Sequence, residues 1–524
     1  MKTLQVLLCL FIYNVYSAQR LNNQLSVIDI LHYDIKLSVN NSSIHVEEII
    51  KFKPLKTINS FFLELIGDEI NKHGMQIESL QIENKEYPIK HRNDTIFILG
   101  NDFLNDSTYS LKLRYQGKPN NGLIIGKNKF GDTTYFCDHW PNRAHHWLAC
   151  IDHPSDKATV SIKITAPKKF TCVSNGKFES KKSEENTITS SYSTIYPLPL
   201  KVIVFGLAEL VYQVDIKHPK IKITNYAYPQ DSINVFKDFK ETKSILDFYE
   251  NLIDDFPFEK LDNVQSTTQF GGMENAGCIF YDENTFKGTG INRLIAHELV
   301  HQWFGNSVTE KDWSHLWLSE GFATYLTNLY IEKIEGSNEF IQQLKKDRQR
   351  VINFQKQFKA PLQDTISTNL MELLNPNAYQ KGAWVLHMLR KEVGYDQFIQ
   401  IIRSFYQQYK YSNASTFDFF ETVKKISHKE FNEFRKEWTT STEIPTFKIQ
   451  KDDMKFELTQ INNSNFHFNL AIDFTLKSGK KERLNFSASS NSDKFVHEFN
   501  EQIIDYELDP ETELLFKTIQ TKDK

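Results

Sequence analysis

The sequence contains little cysteine and no excess of positive charge. Five cysteines occur among 524 residues, and four of them, Cys137, Cys150, Cys172 and Cys278, lie beyond the N-terminal segment. Their spacing is not that of a cysteine zinc cluster. Four cysteines allow three disulfide pairings, between which the sequence does not choose, and buried free thiols fit equally well. The formal net charge of −4 leaves no basic footprint, so no nucleic-acid partner is expected.

A long apolar run is also missing. The stretch from Leu4 to about Tyr13 is too short to span a bilayer as a helix, which needs roughly 20 residues, and no later run is long enough. Lys2 precedes this stretch, and small residues follow it at Ser17 and Ala18. This is the layout of a secretory signal peptide at residues 1–18, which predicts export to the periplasm or the exterior. A buried first strand or helix is the alternative.

The length of the chain predicts several domains. The periodicity of apolar residues differs between three parts of the sequence. Residues 19–208 contain alternating segments such as Tyr33–Val39, separated by turn signals, which favours an all-β domain. Residues 209–442 are dominated by helical spacing. Residues 443–524 return to alternation, as in Phe466–Phe474. The predicted fold class is a multidomain α+β protein with an N-terminal all-β domain, a mostly α central domain and a small C-terminal β-sandwich.

One motif in the central region predicts a metal site. His297 and His301 are four residues apart in His-Glu-Leu-Val-His, so on a helix both imidazoles project from one face and can reach one zinc ion. Catalytic zinc commonly has three protein ligands, and Glu320 is the candidate for the third. Glu298 is placed to take a proton from water bound to the metal. The bare pattern also arises by chance on exposed helices, but the apolar residues around it and the downstream glutamate favour zinc-dependent hydrolysis.

Four segments together resemble the M1 family of zinc aminopeptidases, the gluzincin group with a thermolysin-like catalytic domain. They are Gly271-Gly272-Met273-Glu274-Asn275, the two-histidine motif with Glu320, Trp317–Ala323, and Tyr379-Gln380-Lys381-Gly382. The resemblance implies a thermolysin-like domain over residues 209–442 that holds one Zn²⁺. It further implies hydrolysis of the first peptide bond of peptides with a free N-terminal amine.

The resemblance also assigns roles to residues outside the metal motif. Glu274 would bind the α-ammonium of the substrate, because a fixed carboxylate recognises that group best. Gly271 and Gly272 would let a peptide backbone approach, since they have no Cβ. Met273 would line the pocket for the first side chain, and Asn275 belongs to the same substrate-binding segment. Tyr379 would stabilise the oxyanion as a neutral donor.

Two features depart from the family pattern. Many members have Gln-x-Glu or Gln-x-Gln in the N-terminal domain, where this chain has Asp138-His139-Trp140, so Asp138 is expected to substitute in part as a second contact for the substrate amine. Many relatives also continue into a large helical C-terminal domain. This chain ends after the small β domain, so we expect a short form with a more open cleft.

Three other functions remain as alternatives. An epoxide hydrolase or bifunctional enzyme is related to this fold, but that branch also has the helical C-terminal domain. A non-catalytic binding protein would be expected to lack Glu298 or one of the metal-ligating residues, and all of them are present. A zinc endopeptidase is disfavoured by Glu274, because an internal peptide segment brings no ammonium to pair with it. The preferred first residue and the oligomeric state stay open.

Overall fold

The computed structural model describes residues 24–67, 74–92, 94–215, 218–490 and 493–520. The chain forms two compact units: the first runs to Asp312 and includes Tyr409–Asn413, and the second comprises Trp313–Gln408 and the residues from Ala414 onward. The predicted signal segment, residues 1–18, lies outside the described residues. Of the helices described, none is long and apolar enough to cross a membrane.

The first unit begins with β-sheets, as the alternation predicts. Tyr33–Val39 lies in the strand Ile28–Asn40, which pairs in parallel with Lys157–Pro167 and places Tyr33 opposite Val160. Tyr33, Ile35 and Leu37 are buried on one face. The largest sheet has the strand order Lys177–Ser183, Thr187–Ser193, Lys157–Pro167, Ile28–Asn40, Ser43–Pro54, Tyr109–Lys118, Gly74–Ile82 and Lys85–Glu86, with Leu198–Pro199 paired to Lys157–Pro167.

Two smaller sheets complete the β-rich part of the first unit. One has the order Ile58–Glu64, Thr95–Phe103 and His91–Arg92, and the other has the order Thr171–Ser174, Phe205–Ala208, Thr133–Cys137 and Leu123–Lys127. The four described cysteines are all free: Cys137, Cys150 and Cys278 are buried, and Cys172 is half-buried. Burial raises the pKa of each of these thiols, which keeps them protonated at neutral pH.

A further sheet in the first unit contains part of the predicted substrate-binding segment Gly271–Asn275. Its strand order is Val211–Asp215, Lys222–Ala227, Lys260–Ser266, Cys278–Asp282 and Gly272–Met273. The helices Ser232–Asp238, Thr242–Leu252 and Asn292–Trp303 belong to the same unit, as do the short strand Thr309–Glu310 and the 3-10 turns Ala144–His146, Leu200–Val202 and Pro229–Asp231. Helical periodicity predicts the helices but not Lys260–Ser266. That strand is buried on both faces, so its sequence shows no alternation.

The second unit is helical and then forms strands. Its α-helices are Trp317–Glu335, Ser337–Gln355, Gly382–Val393, Tyr395–Tyr409, Thr416–Ser427 and Asn432–Arg435. Shorter elements are the 3-10 turns Trp313–His315 and Leu370–Leu373, the π-helical turns Asn377–Lys381 and Lys436–Thr440, and the strand Asn413–Ala414, which begins in the first unit. The helices stop at Thr440, and strands resume at Thr446.

The last strands pack as two sheets. One sheet has the order Lys494–Glu498, Lys455–Gln460, Thr446–Lys451 and Lys517–Gln520, and the other has the order Lys481–Ala488, Phe468–Leu476 and Ile503–Leu508. Aromatic rings join them: the centroids of Phe456 and Phe474 are 5.0 Å apart, and those of Phe447 and Phe468 are 5.4 Å apart. The predicted β-sandwich core is thus built from the alternating phenylalanines, and the multidomain α+β class is confirmed.

Candidate functional site

The two histidines lie on the helix Asn292–Trp303, here called the histidine helix. Its apolar residues Ile295, Leu299 and Val300 are fully buried and anchor it in the first unit. The helix ends because Phe304 is extended and Gly305 has φ +124°, a backbone conformation that favours glycine. The sequence indicates this end, since Gly305 follows the last apolar residue.

The imidazoles of His297 and His301 converge. Their Nε2 atoms are 3.2 Å apart, and the Nδ1–H of His301 donates to the carbonyl of Phe304 at 3.2 Å. That hydrogen bond leaves the Nε2 lone pair of His301 available as a ligand. A tetrahedral zinc with Zn–N bonds of about 2.0–2.1 Å holds two nitrogens about 3.3 Å apart. The pair therefore fits zinc as a two-histidine half-site.

Glu298 is directed toward the strand Gly272–Met273. It is buried, and a Cβ added to Gly272 would lie 2.2 Å from Glu298 Oε1 and 2.5 Å from its Cδ. A Cβ on Gly271 would meet nothing within 4 Å. The two glycines predicted for backbone access therefore differ: Gly272 gives room to the Glu298 carboxylate, and Gly271 borders open space.

Glu274 joins this group of side chains. One carboxylate oxygen each from Glu274 and Glu298 and one ring nitrogen of His301 lie within 4.8 Å of one another, and all three residues are buried. Two carboxylates and an imidazole at this distance can bind a cation or a water molecule that donates protons. The segment Gly271–Asn275 is thereby brought to the face of the histidine helix that presents Glu298 and His301.

Met273 and Asn275 are both buried in the same segment. Met273 is 2% exposed and pairs in antiparallel register with Phe280. Asn275 is fully buried, its backbone N–H donates to the Met273 carbonyl at 2.9 Å, and its side-chain amide has no hydrogen-bond partner among the described residues. A buried amide without partners is costly, so this group is suited to a polar ligand or a bound water.

Asp138 also lies in the first unit, and both of its carboxylate oxygens accept hydrogen bonds. Oδ1 accepts from the Arg143 guanidinium, and Oδ2 accepts from Thr268 Oγ1 at 3.3 Å and from the Gln269 N–H at 3.1 Å. Burial raises the pKa of Asp138, and the Arg143 charge and the Gln269 and Thr268 hydrogen bonds oppose that rise. Through Thr268 and Gln269 this carboxylate holds the chain that leads into the Gly271–Asn275 segment.

The other two predicted residues lie in the second unit. Glu320 is buried in the first turn of Trp317–Glu335, and Tyr379 is half-buried in the π-helical turn Asn377–Lys381. Gly321 and Gly382 bring these elements together: a Cβ on Gly321 would lie 2.9 Å from the Gly382 Cα. Ser319, next to Glu320, lies within the helix.

Lys381 follows Tyr379 in the same π-helical turn. It is fully buried, and its Nζ donates to the Ser441 carbonyl at 3.0 Å. Burial lowers the pKa of Lys381 to about 7, since no carboxylate among the described residues offsets the loss of hydration. The Tyr-Gln-Lys-Gly segment is therefore held at two points after Tyr379, by Lys381 and by the glycine contact.

Two residues of the site were not anticipated from the sequence. Gln302 and Asn306 are fully buried, and both donate side-chain hydrogen bonds to the Glu274 carbonyl. Gln302 lies within the apolar histidine helix, where an uncharged amide is unusual unless it has buried partners. A polar residue at an otherwise apolar position of the helix is the sequence feature that could have indicated Gln302.

Comparison with known proteins identifies the family. Residues 30–199 match the Peptidase M1 N-terminal domain, and residues 237–438 match the Peptidase family M1 domain. Aminopeptidase A of Gloydius brevicauda is 27% identical over 70% of this chain and 40% of its own length. The alanine/arginine aminopeptidase of Saccharomyces cerevisiae is 25% identical over 82% of this chain and 53% of its own.

A solved structure shares the fold. The M1 zinc metallopeptidase from Deinococcus radiodurans superposes with a TM-score of 0.69 and 21% identity, covering 80% of this chain and 95% of that one. The chain spans about two fifths to half the length of the curated relatives that it matches. The predicted site segments from Gly271 to Lys381 lie inside the match to the Peptidase family M1 domain. The chain belongs to peptidase family M1.

Proposed function

We propose that the protein is a zinc metallo-aminopeptidase that hydrolyses the first peptide bond of peptides with a free N-terminal amine. The carrying observation is the grouping of Glu274, Glu298 and His301, whose polar atoms lie within 4.8 Å of one another. A carboxylate fixed beside a base and a metal ligand can hold a substrate ammonium next to the reacting bond. An internal peptide segment brings no ammonium group to pair with this buried carboxylate, so an endopeptidase would bear the cost of burying the charge without compensation.

The proposed metal ligands are His297, His301 and Glu320, with one zinc ion. The 3.2 Å separation of the two Nε2 atoms supports the histidine pair, and the family motif supports Glu320 as the third ligand. Nitrogen and carboxylate ligands in this number suit zinc. When bound, zinc supplies Lewis-acid polarisation of the scissile carbonyl and of water.

The remaining chemistry belongs to the side chains. Glu298 takes a proton from the attacking water and passes it to the departing amine, so one carboxylate serves as base and then as acid. Tyr379 donates its phenol hydrogen bond to the oxyanion. Glu274 pairs with the α-ammonium, while Gly271, Gly272, Met273 and Asn275 line the approach of the first residue.

The test compares one peptide with a free amine and with an acetylated amine. The relatives include a glutamyl aminopeptidase and an alanine/arginine aminopeptidase, so the panel includes glutamyl, alanyl and arginyl peptides. The wild type should cleave only the free forms, and a chelator should abolish the activity. Glu274→Ala should lose about 10- to 150-fold in kcat/KM, the equivalent of a charge-assisted hydrogen bond.

A matched control is Glu283→Ala. Glu283 is comparably buried in the same unit, but its carboxylate accepts from the Lys129 N–H at 3.0 Å. That variant should keep the preference for the free amine. Equal cleavage of the blocked peptide by the wild type would favour an endopeptidase. A zinc-loaded protein that turns over neither peptides nor an epoxide would favour a binding protein.

We also propose that the protein is exported after removal of its first 17 or 18 residues. The support is the sequence alone: the charged start, the short apolar stretch from Leu4 and the small residues at Ser17 and Ala18. Sequencing the N-terminus of the protein from its natural source decides this. An intact Met1 in a cytoplasmic fraction would contradict export.

A further inference from the structure

Gln302 joins the two segments that carry the reacting carboxylates. Its side-chain Nε2 donates to the Glu274 carbonyl at 2.9 Å and to the Glu298 carbonyl, on its own helix, at 3.3 Å. Its Oε1 accepts from the Gly277 N–H at 2.8 Å. The amide is fully buried, and both of its ends are occupied by backbone partners.

These bonds fix the position of Glu274 more than a single contact would. The Glu274 carbonyl also accepts from Asn306 Nδ2 at 2.5 Å, so two buried amides hold the same oxygen. Gly277 has φ +64°, which closes the turn after Glu274 and directs its N–H at Gln302. Both sides of that turn are thus tied to the histidine helix and its C-terminal end.

We propose that Gln302 is a positioning residue that sets the spacing between the ammonium-binding Glu274 and the general base Glu298; this rests on the proposed aminopeptidase function. It does not touch the substrate, because it is fully buried and its donors face two backbone carbonyls. Its role is to fix how far the N-terminus enters before the first peptide bond meets the base. A shift of about 1 Å in such a distance can cost 10²-fold in rate.

The experiment uses Gln302→Met, which keeps the volume and removes the amide. We expect the kcat/KM for a free-amine peptide to fall about 10- to 100-fold at unchanged zinc content, with a reduced preference over the acetylated peptide. In a Glu274→Ala background the same change should cost little further. Such non-additivity marks residues that act on one another, whereas a merely structural role would cost the same factor in both backgrounds.

Gln265→Met is the matched control. Gln265 is also fully buried in the first unit, accepts from the Tyr228 N–H at 2.9 Å and donates to Asp231 Oδ2 at 2.7 Å. This variant should lose thermal stability to a similar degree and keep the wild-type ratio of free to acetylated cleavage.

Three outcomes overturn the proposal. The first is a zinc-loaded Gln302→Met protein that keeps the wild-type ratio of free to acetylated cleavage. The second is an equal loss of kcat/KM from Gln302→Met in the wild-type and Glu274→Ala backgrounds. The third is a Gln265→Met protein that loses this ratio as much as Gln302→Met does. If Gln302→Met does not fold, Asn306→Ala removes the other donor to the Glu274 carbonyl, and an unchanged ratio there would be equally decisive. A wild type without preference for the free amine would instead remove the proposed function and this role together.

Discussion

Gly272 and Glu298 occupy adjoining space, and a Cβ on the glycine would lie 2.2 Å from the glutamate Oε1. The atoms that it would meet, Oε1, Cδ and Cγ, form the outer part of a flexible side chain. The cost of a methyl group here is therefore a displaced carboxylate more than a distorted backbone. Under the proposed function, this contact links the glycine-containing strand to proton transfer as well as to substrate access.

Gly272→Ala is expected to lower kcat strongly while the melting temperature changes little, because Glu298 can swing away without unfolding the protein. Gly271→Ala is the matched comparison, since its Cβ would meet nothing within 4 Å. Its effect should fall on KM, where a substrate backbone passes. Steady-state kinetics and thermal melts of both variants check this, and equal loss of kcat in the two would contradict it.

Glu298→Gln should retain zinc and lose turnover. The amide keeps the shape of the side chain but cannot take a proton, and removing acid–base assistance typically costs about 10²–10⁴-fold. Metal analysis and kcat on a free-amine peptide are the measurements. Near-normal turnover in a zinc-loaded variant would assign the base elsewhere.

Tyr379→Phe should lower kcat and leave KM within a few-fold. The phenol is proposed to act on the oxyanion, which exists only in the transition state, and loss of one such donor typically costs about 10²–10³-fold. Lys381 and Gly382 hold the backbone that follows Tyr379, so the variant should fold normally. A change confined to KM would indicate a binding role.

A half-buried ion pair in the first unit makes stability depend on pH. His145 Nδ1 lies 2.8 Å from Asp152 Oδ2. Burial lowers the pKa of His145, but the hydrogen bond and charge of Asp152, with Glu64 and Asp94, raise it to about 9 overall. Because the folded pKa exceeds the unfolded value, this stabilisation is complete below about pH 6.5 and is lost as pH rises through 9.

His145→Gln should therefore be less stable than the wild type at pH 6, by about 1–3 kcal/mol, and the difference should shrink by pH 10. Urea midpoints at the two pH values measure it. His146→Gln is the control: burial lowers the pKa of His146 to about 3, so it stays neutral over this range. A constant difference between wild type and His145→Gln would contradict the ion pair.

The sequence predicts the structure correctly where the spacing of one type of residue along the chain determines the local geometry. Four-residue spacing is enough to bring His297 and His301 to one helix face, and the observed Nε2 separation follows from that. Alternation is enough to predict the sandwich strand Phe468–Leu476, because only one of its faces is buried, at positions such as Leu470 and Ile472.

The sequence could not show contacts that depend on three-dimensional pairing. Asp138 lies in the region that corresponds to a family substrate contact and is expected to substitute for it in part. Arg143, Thr268 and Gln269 engage both of its oxygens, and two of these partners lie about 130 residues away along the chain. The sequence does not indicate a role for Gln302 for the same reason, since its partners Glu274 and Gly277 lie on a separate segment that precedes the histidine helix. The role of a buried polar residue can be assigned only when its hydrogen-bond partners are known.

The contact between Gly321 and Gly382 supports the last prediction, because here the neighbours are backbone. A Cβ on Gly321 would lie 2.9 Å from the Gly382 Cα, 3.0 Å from its carbonyl carbon and 3.2 Å from the Ala378 carbonyl oxygen. Alanine is favoured over glycine inside a helix by about 1 kcal/mol, so propensity alone predicts that Gly321→Ala stabilises the protein. The clash predicts the opposite, since none of the three atoms can rotate away.

We expect the clash to dominate and Gly321→Ala to lower the melting temperature, with a loss of activity because Glu320 and the turn bearing Tyr379 must separate. Gly126→Ala is the control, since a Cβ there meets nothing within 4 Å and its melting temperature should be unchanged. Thermal melts and kcat of the two variants provide the measurement. A Gly321→Ala protein as stable and active as the wild type would show that the two elements can move apart freely, and the close glycine contact would then have no part in holding Glu320 and Tyr379.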